Sequence, residues 1–144
     1  MPTDTDTTDH AELLLDSSAA VALILEDHEA HAATLAAARG RRLGLAGHAW
    51  FETYSVLTRL PAGLRRSPAD ALRILERNFP DSRFLDEKLA AELGPELARM
   101  GIAGGSVYDA LVGAAARQHS VSLLSGDARA RPTYDALGVD TEPV

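Results

Sequence analysis

Four carboxylates in this chain stand where acids can act together: Asp16, Glu52, Asp109 and Asp127. Asp16 closes the apolar run Leu13-Leu14-Leu15, which reads as a buried strand, and Asp127 follows the apolar pair Leu123-Leu124 across Ser125-Gly126. In open parallel sheets ligands gather outside the carboxyl ends of the strands, so both acids are expected on one edge. Glu52 and Asp109 fall in the first turns of helices that would start at that edge. Carboxylates so placed repel one another unless a cation joins them, and hard oxygen donors suit Mg²⁺ or Mn²⁺. Such an ion lowers the pKa of water and neutralises charge on a transferring phosphoryl group. The chemistry expected is phosphodiester hydrolysis without a protein nucleophile.

The elements that must position these acids alternate along the chain. A strand ending at Asp16 leads to a helix through Leu25, capped by Ser17 or Ser18, and then to an Ala-rich helix from about Glu29 to Arg39 that Gly40 ends. Leu43-Gly44-Leu45-Ala46 reads as a second strand weakened by its glycine, followed by a helix from about Ala49 to Leu60 that Pro61 closes. Ser67 and Pro68 open a helix to Asn78. A short strand is expected over Ser82 to Leu85, then a helix from Glu87 to Met100 with Leu89, Leu93, Leu97 and Met100 at helical spacing. A glycine-rich loop precedes an Ala-rich helix from Val107 to His119, the strand Val121 to Leu124, a short helix to about Leu137 and a last strand near Val139 to Val144. Strands alternating with helices imply right-handed parallel crossovers and an α/β fold. The expected organisation is one domain over residues 11–144 behind a flexible Thr- and Asp-rich tail over residues 1–10.

Composition narrows the classes of function. A chain of 144 residues buries a core without staples, and 46% hydrophobic with 24% charged residues is the balance of a globular protein. No apolar run is long enough for a membrane span, and the first residues resemble no signal or transit segment, so a cytoplasmic location is expected. The absence of cysteine removes disulfides, thiolate metal sites and thiol nucleophiles together. The net charge of −7 argues against a broad basic surface for nucleic acid, although clustered acids around a divalent ion make the bare sum misleading. The cations are 13 Arg and the single Lys88, a skew that genomic GC bias also produces.

Taken together, these segments resemble the PIN domain, and within it the VapC-type toxins of toxin–antitoxin pairs. The resemblance covers Leu13 to Val144 and is carried by Leu15-Asp16-Ser17-Ser18, Phe51-Glu52 with Leu57 and Arg59, Val107-Tyr108-Asp109-Ala110-Leu111, and Leu124-Ser125-Gly126-Asp127-Ala128-Arg129. It implies a three-layer α/β/α sandwich with a central, mainly parallel sheet. It also implies that Asp16 and Asp109 are the principal ligands of Mg²⁺ or Mn²⁺, with Glu52 and Asp127 completing the cluster partly through water. Supporting roles follow for Ser18, which would orient Asp16, for Ser125, which would orient a water or phosphate, and for Arg129, which would touch the scissile phosphate or restrain Asp127. The activity implied is endonucleolytic cleavage of RNA. The partners implied are a small antitoxin that blocks the acidic site and a second copy of the chain. A PIN-like module that binds RNA or protein without cutting is the alternative.

Other readings fit the residues less well. His28-Glu29-Ala30-His31 has its histidines three apart, whereas the zinc-protease motif needs four, and both are expected as solvated helix residues. A phosphoacceptor receiver needs an acid beside Asp16 and a late lysine, and a phosphatase of the Asp-x-Asp type needs an acid where Ser18 stands. His48 reads as a cap or packed side chain and Arg41-Arg42 as solvated turn residues, while Arg59 and Arg65-Arg66 are candidates for an RNA path.

Overall fold

Strand β1 (Leu13–Leu15) consists of three fully buried leucines. Because side chains alternate along a strand, Leu13 and Leu15 face one side of the sheet and Leu14 the other. Leu13 and Leu15 join a core with Ala19, Ala20, Leu57, Leu75 and Phe79, whereas Leu14 joins one with Ala110, Val112, Ala115 and Tyr134. The computed structural model describes residues 10–144, and residues 1–9 of the expected tail lie outside the described residues.

After β1 come α1 (Ser17–Ile24), α2 (His31–Ala38), β2 (Leu43–Leu45), α3 (His48–Thr58), α4 (Pro68–Asn78), α5 (Glu87–Met100), α6 (Ser106–His119), β3 (Leu123–Ser125), α7 (Arg131–Ala136) and β4 (Thr141–Pro143). The sheet order is β2-β1-β3-β4 and every pairing is parallel. Helices cover both faces, as a sheet buried on both sides requires. The architecture is the expected three-layer α/β/α sandwich.

Several local expectations change. The cap of α1 is Asp16 itself, whose side chain accepts from the Ala19 amide, and neither Ser17 nor Ser18 caps it. Residues 82–85 form no strand. Only Arg83 bridges Ala46, while the Ser82 hydroxyl accepts from the Leu45 amide and takes over an edge position. That crossing explains the glycine of β2, since a Cβ at Gly44 would sit 2.1 Å from the Asp81 carbonyl oxygen. Arg41 and Arg42 are not solvated turn residues: Arg41 makes a two-pronged pair with Glu142, and Arg42 does so with Asp81.

Small residues let α6 approach its neighbours. A Cβ at Gly113 would lie 3.1 Å from Cδ1 of Tyr134 and 3.2 Å from Val139. The short helix α7 therefore sits close against α6 and delivers the Tyr134 ring into the core beneath β1.

Candidate active site

From β1 the chain moves outward to β2 and later returns to the opposite side of β1 as β3, so the strand order reverses between β1 and β3. That is where a parallel sheet opens a crevice at its carboxyl edge. Asp16 immediately follows β1, and Asp127 follows β3 by two residues. Helices α3 and α6 begin at this edge and carry Glu52 and Asp109 in their early turns.

Asp16 is only 3% exposed and its carboxylate is held from three directions. Oδ1 accepts from the Ser18 hydroxyl at 2.5 Å and from the Ala19 amide at 3.0 Å, and Oδ2 accepts from the Tyr134 hydroxyl at 2.9 Å. Charge-assisted bonds of this kind are the stronger sort and fix a carboxylate's orientation. The Ser18 hydroxyl also accepts from the Gly126 amide at 3.0 Å, which ties the end of β1 to the loop after β3. On that loop Ser125 Oγ accepts from the Asp127 amide at 3.1 Å. Asp127 Oδ1 accepts from the Arg129 amide at 2.9 Å and lies 3.5 Å from the Arg129 Nε, with the arginine side chain almost fully in solvent.

Glu52 and Asp109 have no hydrogen bond or ion pair among the described residues. Burial raises the Glu52 carboxyl to about 7, and the charges of Asp109 and Asp16 push it the same way. Burial also raises Asp109, reinforced by Asp127 and Asp16 and opposed by Arg129. The Tyr134 hydroxyl is driven well above its ordinary range by burial and by the charge of Asp16, so it remains a donor. These shifts place all four acids in one electrostatic neighbourhood. Among the described residues no three acids or histidines already stand as a ready-made ligand set for one ion. The donor set still fits a hard cation, because Mg²⁺ keeps several waters and takes one or two carboxylates directly.

Two features of this edge are not apparent in the sequence. Tyr134 reaches Asp16 from 118 residues away, and its place on α7 reads as an ordinary core aromatic. His48 is a packed side chain rather than the cap of α3, which Gly47 occupies, and its ring partner is the distant Tyr108, at 5.2 Å between centroids. Arg59 shares an open groove with Glu52, whereas Arg65 donates to the backbone of Leu60 and Arg66 lines a different cleft beside Ile24 and His28. His31 contacts the Ala22 carbonyl through Nδ1, and nothing gathers around His28 as a metal site among the described residues.

Comparison with known proteins agrees with this geometry. The PIN domain family model matches residues 13–135. Ribonuclease VapC27 of Mycobacterium tuberculosis is 46% identical over 127 residues, covering 88% of this chain and 93% of that protein. Ribonuclease VapC40 of the same organism is 40% identical over 131 residues, covering 90% and 96%. Among solved structures, VapBC2 from Rickettsia felis bound to a DNA fragment from its promoter superposes with a TM-score of 0.65 at 14% identity, over 92% of this chain and 98% of that one. FitAB bound to a DNA fragment gives 0.62 at 18% identity, over 91% and 94%. With the acids gathered at the switch point of the sheet and relatives this similar over nearly their whole length, the chain belongs to the PIN-domain family, in its VapC-type branch.

Proposed function

We propose that this chain is a divalent-metal-dependent endoribonuclease that hydrolyses RNA phosphodiester bonds and acts as the toxin of a toxin–antitoxin pair in the cytoplasm. The observation that carries the chemistry is the set of four mutually repelling acids at the carboxyl edge, with Glu52 held up to about 7 by burial and its acidic neighbours. Similarity to two proteins named Ribonuclease VapC carries the choice of RNA.

Asp16 and Asp109 would hold Mg²⁺ or Mn²⁺, with Glu52 and Asp127 completing the site partly through water. When bound, the cation supplies water of lowered pKa and neutralises charge on the phosphoryl group. The chain's own residues do the rest. Ser18, the Ala19 amide and Tyr134 fix the Asp16 carboxylate, leaving its Oδ2 with capacity for a further partner. Glu52, raised to about 7, is partly protonated near neutral pH and would give up that proton to join a bound cation. Ser125 braces the Asp127 backbone with its hydroxyl hydrogen still available to a water or phosphate, and Arg129 restrains Asp127.

The likeness to VapBC and FitAB assemblies supports a small antitoxin partner that covers the acidic edge, and homodimerisation completes the proposal. No helix among the described residues is long and apolar enough to cross a membrane.

The test is cleavage of structured RNA with Mg²⁺ or Mn²⁺ by the wild type, Asp16→Asn and Asp109→Asn. Cleavage by the wild type alone is expected. Equal cleavage by the variants would refute the site, and no cleavage by any form would favour a silent binding module.

A further inference from the structure

The negative charge of this chain is not evenly spread. Residues 59–78 hold five of its 14 basic residues and two of its 21 acidic ones, so this segment carries +3 within a chain of −7. Three of those arginines, Arg66, Arg73 and Arg77, line one cleft of about 300 Å³ along α4 with Asp70, Ile74 and Asn78. Spacings of three and four residues put the α4 members on one stripe of the helix. Arg77 is exposed and has no hydrogen bond or ion pair among the described residues. Arg66 donates Nη1 to the Leu64 carbonyl at 2.5 Å and makes no ion pair among them. Arg73 pairs with Asp70, but both side chains are more than half exposed, and such a pair contributes no more than about 1 kcal/mol. One acid therefore faces three guanidinium groups.

This cleft stands apart from the acidic edge. The Asp81 amide donates to the Leu43 carbonyl at 3.1 Å, which puts the exit of α4 beside the start of β2, at the amino edge of the sheet. The Arg66 amide donates to the Leu57 carbonyl at 2.9 Å, which joins the other end of the cleft to the last turn of α3. Arg59 closes that turn, about 10 Å along the helix axis from Glu52 at a rise of about 1.5 Å per residue. Basic side chains thus lead from the groove that holds Glu52 to the far side of the molecule.

We propose that Arg66, Arg73 and Arg77 form an anchor on α4 for the phosphate backbone of double-stranded RNA, remote from the acidic edge. The inference rests on the ribonuclease reading above and concerns the part of the substrate that is held rather than cut. Guanidinium groups suit phosphate oxygens by two-pronged contact. No residue lining the cleft is aromatic, so unpaired bases find nothing there to stack on, whereas an A-form duplex displays phosphates and 2′-hydroxyls on its surface. Asn78 donates its amide nitrogen to the Ile74 carbonyl at 2.8 Å, which leaves its Oδ1 able to accept from a 2′-hydroxyl, the group that separates RNA from DNA.

The experiment uses the full chain without metal and a fluorescein-labelled blunt RNA duplex of about 16 base pairs, with anisotropy followed across a salt series. The wild type is expected to bind it more tightly than a DNA duplex of the same sequence. The Arg73→Gln, Arg77→Gln double variant should bind the RNA about tenfold more weakly and lower the slope of log affinity against log salt by about 1.8. The Arg73→Lys, Arg77→Lys double variant keeps both charges and should keep the wild-type slope, which separates lost charge from a damaged helix. No duplex binding by the wild type, a wild-type slope in the glutamine variant, or an equal fall of slope in the lysine variant would overturn the anchor. DNA bound as tightly as RNA would overturn its assignment to RNA, and polyglutamate bound more tightly than either duplex would give the cleft to an acidic protein segment instead. Arginine-dependent duplex binding by a wild type that cuts no RNA with Mg²⁺ or Mn²⁺ would leave the anchor standing and remove the nuclease reading, and cleavage without duplex binding would do the reverse.

Discussion

Helix α6 runs between two edges of the sheet, and its ends treat charge in opposite ways. At the amino edge Arg117, in its last turn, pairs with both oxygens of Glu96 and holds that carboxyl below its ordinary range. Arg42 and Asp81 form a similar two-pronged pair before β2. At the carboxyl edge Asp109, in the first turn, faces Asp127 and Asp16 with no ion pair among the described residues, and its carboxyl is raised despite the opposing charge of Arg129. Glu52 beside it rises to about 7. Acids at the amino edge are satisfied within the fold, whereas at the carboxyl edge only Asp16 and Asp127 are, and Glu52 and Asp109 are held against their electrostatics. A fold tolerates such repulsion where it serves a ligand, and perturbed carboxyls clustered in a cleft mark that place.

The sharpest way to break the contrast is to neutralise one acid at the carboxyl edge. Asp109→Asn should lower RNA cleavage on the order of a thousandfold. The same change should leave the metal-free protein at least as stable to urea, because it removes a repelling charge. A large loss of stability would show that Asp109 is structural. Next comes the support of Asp16. Tyr134→Phe removes one donor from its carboxylate and should weaken Mn²⁺ binding roughly 10- to 100-fold, as losses of such outer partners do. Calorimetry reads this directly, and unchanged affinity would leave the Tyr134 contact with no part in metal binding.

The pH dependence carries the contrast into stability. Glu52 has a folded pKa of about 7 against an ordinary 4.5, so the folded chain binds more protons between these values. Stability from this group is fully present below the lower value and is lost as pH rises through the upper one. Glu52→Gln should therefore stabilise the metal-free protein at pH 8 by about 1 kcal/mol, the shift being discounted for partial solvent screening. Urea unfolding at pH 5 and pH 8 checks it, and an equal effect at both would contradict it. The smallest effect belongs to the amino edge. Arg42→Ala should cost about 1 kcal/mol of stability, since the pair is partly exposed, and leave the cleavage rate unchanged. A slowed rate would erase the distinction between the edges.

How far the chain discloses this arrangement differs from residue to residue. Asp16 and Asp127 are legible because each follows a short apolar run that reads as a buried strand, and parallel pairing of the two strands brings both to one edge. Glu52 and Asp109 are legible as early helical acids, but their repulsion depends on how α3 and α6 converge. Asp16 as the cap of α1 was obscured by Ser17 and Ser18, which are equally good capping types. The paired roles of Arg41 and Arg42 depend on partners 101 and 39 residues distant. Tyr134 is the extreme case: its hydroxyl meets Asp16 only because Gly113 lets α7 close on α6, and no local pattern encodes such an approach.

If the acids at the carboxyl edge constitute a metal site, the intact protein binds a divalent cation through them. Titration of the intact chain with Mn²⁺, followed by calorimetry at pH 6.5 in two buffers of different ionisation enthalpy, tests it most directly. Saturable binding with proton release from Glu52 is expected, together with loss of that binding in the Asp16→Asn, Asp109→Asn double variant. Mn²⁺ binding of equal strength in the double variant, or no binding by the wild type, would contradict it.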